Sequence, residues 1–333
     1  MDLKTKWLGL ELKNPFVPSA SPLTKSLDMA KQLEDAGAAA LVMHSLYEEV
    51  VVAFDEGVSR FAHQGCGHAG ARQDQNFPCE LDCYLEQLSS LKSSLGIPVV
   101  ASLNGVTPGG WVEHARELQD AGADALELNV YHVAADPEES GFEVEERYLN
   151  LLELLEDQIS IPINMKLGPF FSSPAHLITL LEPAGAAGGS IFNRFYQPDI
   201  NIETLRLIPT LHPSTSTETL LAMRWIAILY GRSGLSLGAT GGVHTTEDVI
   251  KLLLAGADVV HLCSSLLQHG PEHTRTLAQG LEQWMERQGF GSVAEVRGRM
   301  SQLNVADPSE FARANYVMML DSYSPDAAGG PGM

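Results

Sequence analysis

Positive charge is scarce in this 333-residue chain: 21 lysines and arginines face 42 aspartates and glutamates, leaving a formal net charge of -21. Such a surface repels phosphate backbones and anionic bilayers, which argues against a nucleic-acid or membrane partner. Cysteine is scarce too, with four at positions 66, 79, 83 and 263. That is too few for a disulfide scaffold in a chain of this length and fits a reducing compartment. There is no run of eighteen apolar residues, and the opening MDLKTKWLGLEL has neither a basic n-region nor an apolar h-region. The expectation is a soluble, cytoplasmic protein. No linker composition divides the chain, and one eightfold α/β barrel of about 250 residues plus decorations accommodates its length.

What is present is a recurring punctuation. Ala36-Gly37-Ala38, Ala121-Gly122-Ala123, Ala184-Gly185-Ala186 and Ala255-Gly256-Ala257 each follow a helical pattern and lead into an apolar run. Glycine at a helix exit supplies the positive φ that an L side chain resists, and a short apolar run behind it reads as a buried parallel strand. The four runs are 39–43, 125–129, 190–193 and 259–263. Strands at 16–20, 98–102, 161–166 and 235–239 bring the total to eight. A hairpin at 7–12 around Gly9 would plug the bottom, and a helix is expected over 26–36. The fold class is therefore α/β, a single (β/α)8 barrel with an N-terminal hairpin. The barrel takes residues 1–306; a helix at 309–320 and a disordered tail fill 307–333.

Barrel sites form at the C-terminal ends of the strands. Those ends carry His44, Ser102, Asn129, Lys166, Asn193, Gly241 and Ser264. Two long βα loops, 47–78 and 195–213, the second with a small hairpin, would cover this mouth as lids. From Gly238 to Pro271 the order strand, Gly241-Gly242, helix, strand, Ser264-Ser265 reads as a phosphate clamp, because glycine lets backbone N–H groups approach an anion closely. Lys166 closes the apolar strand INMKL, where a cation needs an anionic partner. Asn129 and Asn193 are two amides able to hydrogen-bond a planar heterocycle. His63, Cys66, His68, Cys79 and Cys83 lack metal-ligand spacing, so no metal is expected. The acidic run 138–146 reads as a solvated face.

In their order and spacing, LKNPFVPSAS, ALELNV, INMKLGP, SIFN, GATGGV and HLCSSLLQHGP resemble the dihydroorotate dehydrogenase family, specifically its soluble class 1 barrels. The resemblance implies bound FMN, with Lys166 at the N1 and O2 edge of the flavin. It also implies phosphate contacts at Gly241, Gly242, Ser264 and Ser265, and a turn beside the flavin at Ser19, Ala20 and Ser21. Ser45, Asn129 and Asn193 join the cofactor contacts. A small cyclic substrate would meet Asn129, Asn193 and His44, with dihydroorotate in pyrimidine biosynthesis as the family default. A homodimer and an electron acceptor of unknown identity are implied as well.

The departures lie on the substrate side. Where the family has Asn-x-Ser-Cys-Pro-Asn, this chain has Asn129-Val130-Tyr131-His132-Val133-Ala134, so that His132 takes the place of the cysteine base. The pair His132 and Lys166 is thus the expected catalytic set, with Tyr131 and His44 as alternatives to His132. Where the family has Thr-Lys-Ser there is Met43-His44-Ser45, and the substrate loop Asn-Ser-Met-Gly has no counterpart in 59–78. Flavin chemistry on transfer RNA is opposed by the charge. A non-redox lyase or isomerase that grips a sugar phosphate, and a flavin-binding protein without catalysis, are the competing classes.

Overall fold

The computed structural model describes residues 1–48, 80–105 and 108–322. Thr5–Trp7 (β1) and Leu10–Leu12 (β2) pair antiparallel with Thr5 opposite Leu12, turning through Leu8 and Gly9, both at positive φ. Trp7, Leu8 and Leu12 are buried against Val17, Val42, Val100 and Val259, so the hairpin stoppers one end of the barrel. The chain then runs through Phe16–Pro18 (β3), Leu41–Val42 (β4), Leu46–Tyr47 (β5), Val99–Gly105 (β6), Ala125–Val130 (β7), Ile163–Leu167 (β8) and Ala186–Ile191 (β9). Asp199–Asn201 (β10) and Arg206–Ile208 (β11) follow, then Ser236–Thr240 (β12) and Val259–Leu262 (β13). Eight strands lie side by side and parallel in the order β3-β13-β12-β9-β8-β7-β6-β4. Ala39 N–H donates to the Phe16 carbonyl at 2.9 Å, bringing the two end strands together. This is the expected (β/α)8 barrel.

Helices wrap the strands, and their limits follow local chemistry. Ser26 caps Leu27–Asp35 by accepting from Met29 N–H. Thr245 and Asp248 form a reciprocal capping box at the start of Thr246–Ala255. Gly37, Gly122, Gly185 and Gly256 all have φ between 101° and 127°. After three of them the next alanine donates back five residues: Ala38 to Leu33, Ala123 to Leu118 and Ala257 to Leu252. Those bonds satisfy carbonyls a helix end leaves open. Between helices and strands lies the main core, in which Leu33, Leu88, Leu118, Leu126 and Leu252 are fully buried. Each such leucine contributes roughly 1.5–3 kcal/mol through apolar burial.

Three boundaries depart from the sequence reading in ways that affect the site. β9 begins at the alanine of the helix stop and ends before Asn193. Its Gly188 lies within the strand, where a Cβ would come 2.4 Å from Leu8 of the plug. β6 extends to Gly105, which leaves Ser102 in mid-strand, buried, opposite Glu127. β4 stops at Val42, so His44 sits in a gap before β5. The loop 195–213 carries the hairpin β10–β11, with Asp199 opposite Ile208. The expected helix at 309–320 is split into a 3-10 turn, Pro308–Phe311, and a helix, Ala314–Asp321, because Ala312 leaves the helical region. Residues 49–79, which hold most of the first expected lid, and the tail 323–333 lie outside the described residues.

Candidate active site

The C-terminal ends of the strands open on a cavity of about 400 Å³. Its wall includes Ser19, Ala20, Ser45, Asn129, Lys166, Asn193, Gly241 and Ser264, together with Asn104, Tyr131, Arg194 and Tyr196.

Lys166 forms the floor. Its residue is 6 % exposed, and its Nζ donates to Glu127 Oε1 at 3.2 Å and to Ser19 Oγ at 3.4 Å. An ammonium has three donors, so one is left for the mouth. The strand register explains the partner: Asn129 pairs with Lys166 and Glu127 with Asn164, and residues two apart share one face of a strand. Glu127 was missed in the sequence. Its signal was an acid inside the apolar run ALELNV, two residues before Asn129 and on the same face.

The amides meet directly: Asn193 Nδ2 donates to Asn129 Oδ1 at 2.7 Å, and the Asn193 N–H is held by the Leu167 carbonyl at 2.6 Å. Across the cavity, Ser264 Oγ accepts from Ser214 N–H at 3.1 Å. Gly241 and Gly242 both have positive φ, 94° and 78°, yet they do different work. Gly241 lines the cavity. Gly242 is pressed against the next segment, where a Cβ would lie 2.7 Å from both the Thr215 carbonyl oxygen and the Thr219 nitrogen. Ser45 Oγ is 2.9 Å from Ser102 Oγ, and Ser19 N–H donates to the Leu262 carbonyl at 2.8 Å.

Besides Gly242, four expected site residues are not on this wall. Ser21 turns its carbonyl to Thr24. Ser265 is fully buried with its Oγ unpartnered. His44 packs on the Tyr84 ring at 5.0 Å, and burial, helped by the Lys25 charge, lowers its pKa to about 4. His132 lies in a neighbouring cavity of about 540 Å³, where its Nε2 sits 2.8 Å from Glu139. That contact, then Arg147 on the other carboxylate oxygen at 2.6 Å, holds Glu139 below the usual carboxylate range. The acidic run 138–146 is thus more than a solvated face at Glu139. Tyr131, the neighbour of His132, is the residue that reaches the mouth. Its ring stacks on Phe195 at 4.3 Å and its hydroxyl accepts from Tyr196 N–H at 3.0 Å. Cys263 also lines the mouth, with its thiol pushed up by burial.

Among the described residues, no cluster of three or more His, Cys, Asp or Glu side chains is placed to hold a metal. His63, Cys66, His68 and Cys79 lie outside them. No described helix is long and apolar enough to cross a membrane.

The family model for dihydroorotate dehydrogenase matches residues 79–285. The chain belongs to the dihydroorotate dehydrogenase family. The matched span runs through every strand from β6 to β13, which supply most of the mouth, and the chain is accordingly a dehydrogenase. Among curated relatives, the catalytic subunit of dihydroorotate dehydrogenase B (NAD(+)) from Pyrococcus furiosus is 25% identical over 313 residues, covering 90% of this chain and 98% of that one. The protein of the same name from Methanothermobacter thermautotrophicus is 23% identical over 303 residues, covering 89% and 97%. The NAD-dependent dihydropyrimidine dehydrogenase subunit PreA of Escherichia coli K12 is 24% identical over 340 residues, covering 95% and 80%.

Proposed function

We propose that this chain is an FMN-dependent dehydrogenase that oxidises a CH–CH bond in a small dihydropyrimidine ring. The observation that carries the reading is Lys166: a cation on the floor of the mouth with one donor free, in the same cavity as Gly241 and Ser264. FMN, when bound, supplies the acceptor for the hydride. Gly241 and Ser264 would hold its phosphate, Ser19 and Ala20 would flank its ring, and Lys166 would offset the negative charge that the reduced ring carries. Asn129 and Asn193 present amides to the substrate. Tyr131, rather than His132, is the side chain in the mouth suited to exchange a proton with it.

Of the relatives, two are named for dihydroorotate and one for dihydropyrimidines generally, and a ring of either type carries the amide groups that Asn129 and Asn193 would hydrogen-bond. The relatives are also named as subunits, and a partner subunit is our assignment for the electron acceptor, serving a cytoplasmic, homodimeric catalytic subunit built on residues 1–306. The test is an absorption spectrum of the purified protein followed by anaerobic addition of dihydroorotate, dihydrouracil and dihydrothymine. Flavin absorbance that bleaches with one of them is expected. Protein that is colourless and cannot be reconstituted with FMN would refute the cofactor assignment.

A further inference from the structure

Directly beneath the mouth, five side chains from four strands form one buried hydrogen-bonded chain. Lys166 donates to Glu127 Oε1, and Asn164 Nδ2 donates both to Glu127 Oε2 at 3.1 Å and to Ser190 Oγ at 2.9 Å. Ser190 Oγ lies 3.0 Å from His261 Nε2. That contact closes the chain at His261, and which of the two atoms donates is set by the ring tautomer. Glu127, Asn164 and Ser190 are fully buried. Backbone glycine makes the room: a Cβ on Gly238 would lie 2.7 Å from both His261 Nε2 and Ser190 Oγ. Within this chain Glu127 is the single anion and Lys166 the single cation. Every bond that reaches the carboxylate comes from a donor.

We propose that Glu127 is a positioning residue that fixes both the place and the effective charge of Lys166. A carboxylate 3.2 Å behind the ammonium holds it at the floor and cancels much of its field, because both groups sit in a low-dielectric interior. A ring bound over Lys166 then meets a nearly neutral pair instead of an uncompensated cation. This rests on the reading of the mouth as an FMN site. There, Glu127 keeps the bound flavin harder to reduce than Lys166 alone would make it, which suits a flavin that must hand its electrons on.

The experiment is Glu127→Gln in the FMN-loaded protein. The amide keeps the shape of the carboxylate, and Asn164, whose Oδ1 has no partner, can turn to accept from it. Removing the negative charge should favour reduced over oxidised flavin at least tenfold, a rise of about 30 mV for a two-electron couple. Affinity for sulfite, which forms an anionic adduct on the flavin, should rise in parallel. Glu127→Asp, which retains the charge but draws it back from Nζ, should fall between parent and Gln variant, and it serves as the test variant where the Gln protein does not fold. A flavin-loaded variant with parental or lowered potential and parental sulfite affinity overturns the proposal. If neither parent nor variant takes up FMN, the cofactor reading fails and the pair is read in the apoprotein. There Lys166→Met, which strands a buried carboxylate, should lower stability, and adding Glu127→Gln should restore most of it. A double variant no more stable than Lys166→Met would remove the positioning role as well.

Discussion

Acid should weaken this fold through His261. The ring is buried on β13 with Nε2 hydrogen-bonded to Ser190 Oγ and Nδ1 without a partner, edge to face with Trp7 at a centroid distance of 5.4 Å. Burial lowers its pKa from 6.5 to about 4, and the nearby Lys166 charge acts in the same direction against the opposing pull of Glu127. The folded state therefore binds this proton less readily than the unfolded chain does. The stabilisation is complete above pH 6.5 and is lost as the pH falls toward 4. For a single site shifted this far, the loss at pH 5 is about 2 kcal/mol relative to neutral pH. His44 is shifted the same way, but it is less enclosed, and screening by solvent makes its share smaller. Urea unfolding of the parent and of His261→Gln at pH 7.5 and pH 5 separates this term from the general charge of the chain, which changes equally in both. The variant should be less stable at pH 7.5 and lose about 2 kcal/mol less on acidification. Equal losses in the two proteins would show that His261 does not carry the proton linkage.

The remaining predictions concern the mouth. Tyr131→Phe should slow flavin reduction by the substrate about a hundredfold with FMN content unchanged, while His132→Ala, whose ring points into the neighbouring cavity, should stay within about twofold; stopped-flow reduction decides, and the reverse ranking would reinstate His132. Gly242→Ala places a methyl 2.7 Å from backbone atoms at a φ of 78°. Strain of this kind costs on the order of 1–3 kcal/mol or more. Chemical denaturation should show that loss together with weaker FMN retention, and unaltered stability would contradict the packing.

The frame was readable because its signals are local. Ala-Gly-Ala at 36–38, 121–123, 184–186 and 255–257 needs only the chemistry of a helix end to be recognised, and all four glycines adopt the positive φ expected. Lys166, Asn129 and Asn193 were legible for a related reason: a polar residue closing an apolar strand of a barrel points to the mouth. Side-chain direction beyond the strand end was not legible. His132 and Tyr131 are adjacent, and it is tertiary contact, with Phe195 and Tyr196 for the tyrosine and Glu139 for the histidine, that sets their directions. Gly241 and Gly242 are likewise identical in sequence but separated by what lies behind each. Glu127 was hidden because its partner, Lys166, is 39 residues away and joins it only through strand register.

In most barrels of this type the two ends are independent, one tuned for stability and the other for chemistry. Here the two regions share a wall. Leu8 at the tip of the bottom hairpin occupies the space that a side chain at residue 188 would need, and Asn164 Oδ1 lies 3.2 Å from the same point. Trp7 of the hairpin abuts His261 at the far end of the polar chain that reaches Lys166. The stopper and the ground beneath the mouth are back to back, one side chain thick. A substitution at Leu8 or Trp7, far from the mouth and natural to dismiss as a stability change, also presses on Asn164 or His261, through which it reaches the carboxylate that holds Lys166.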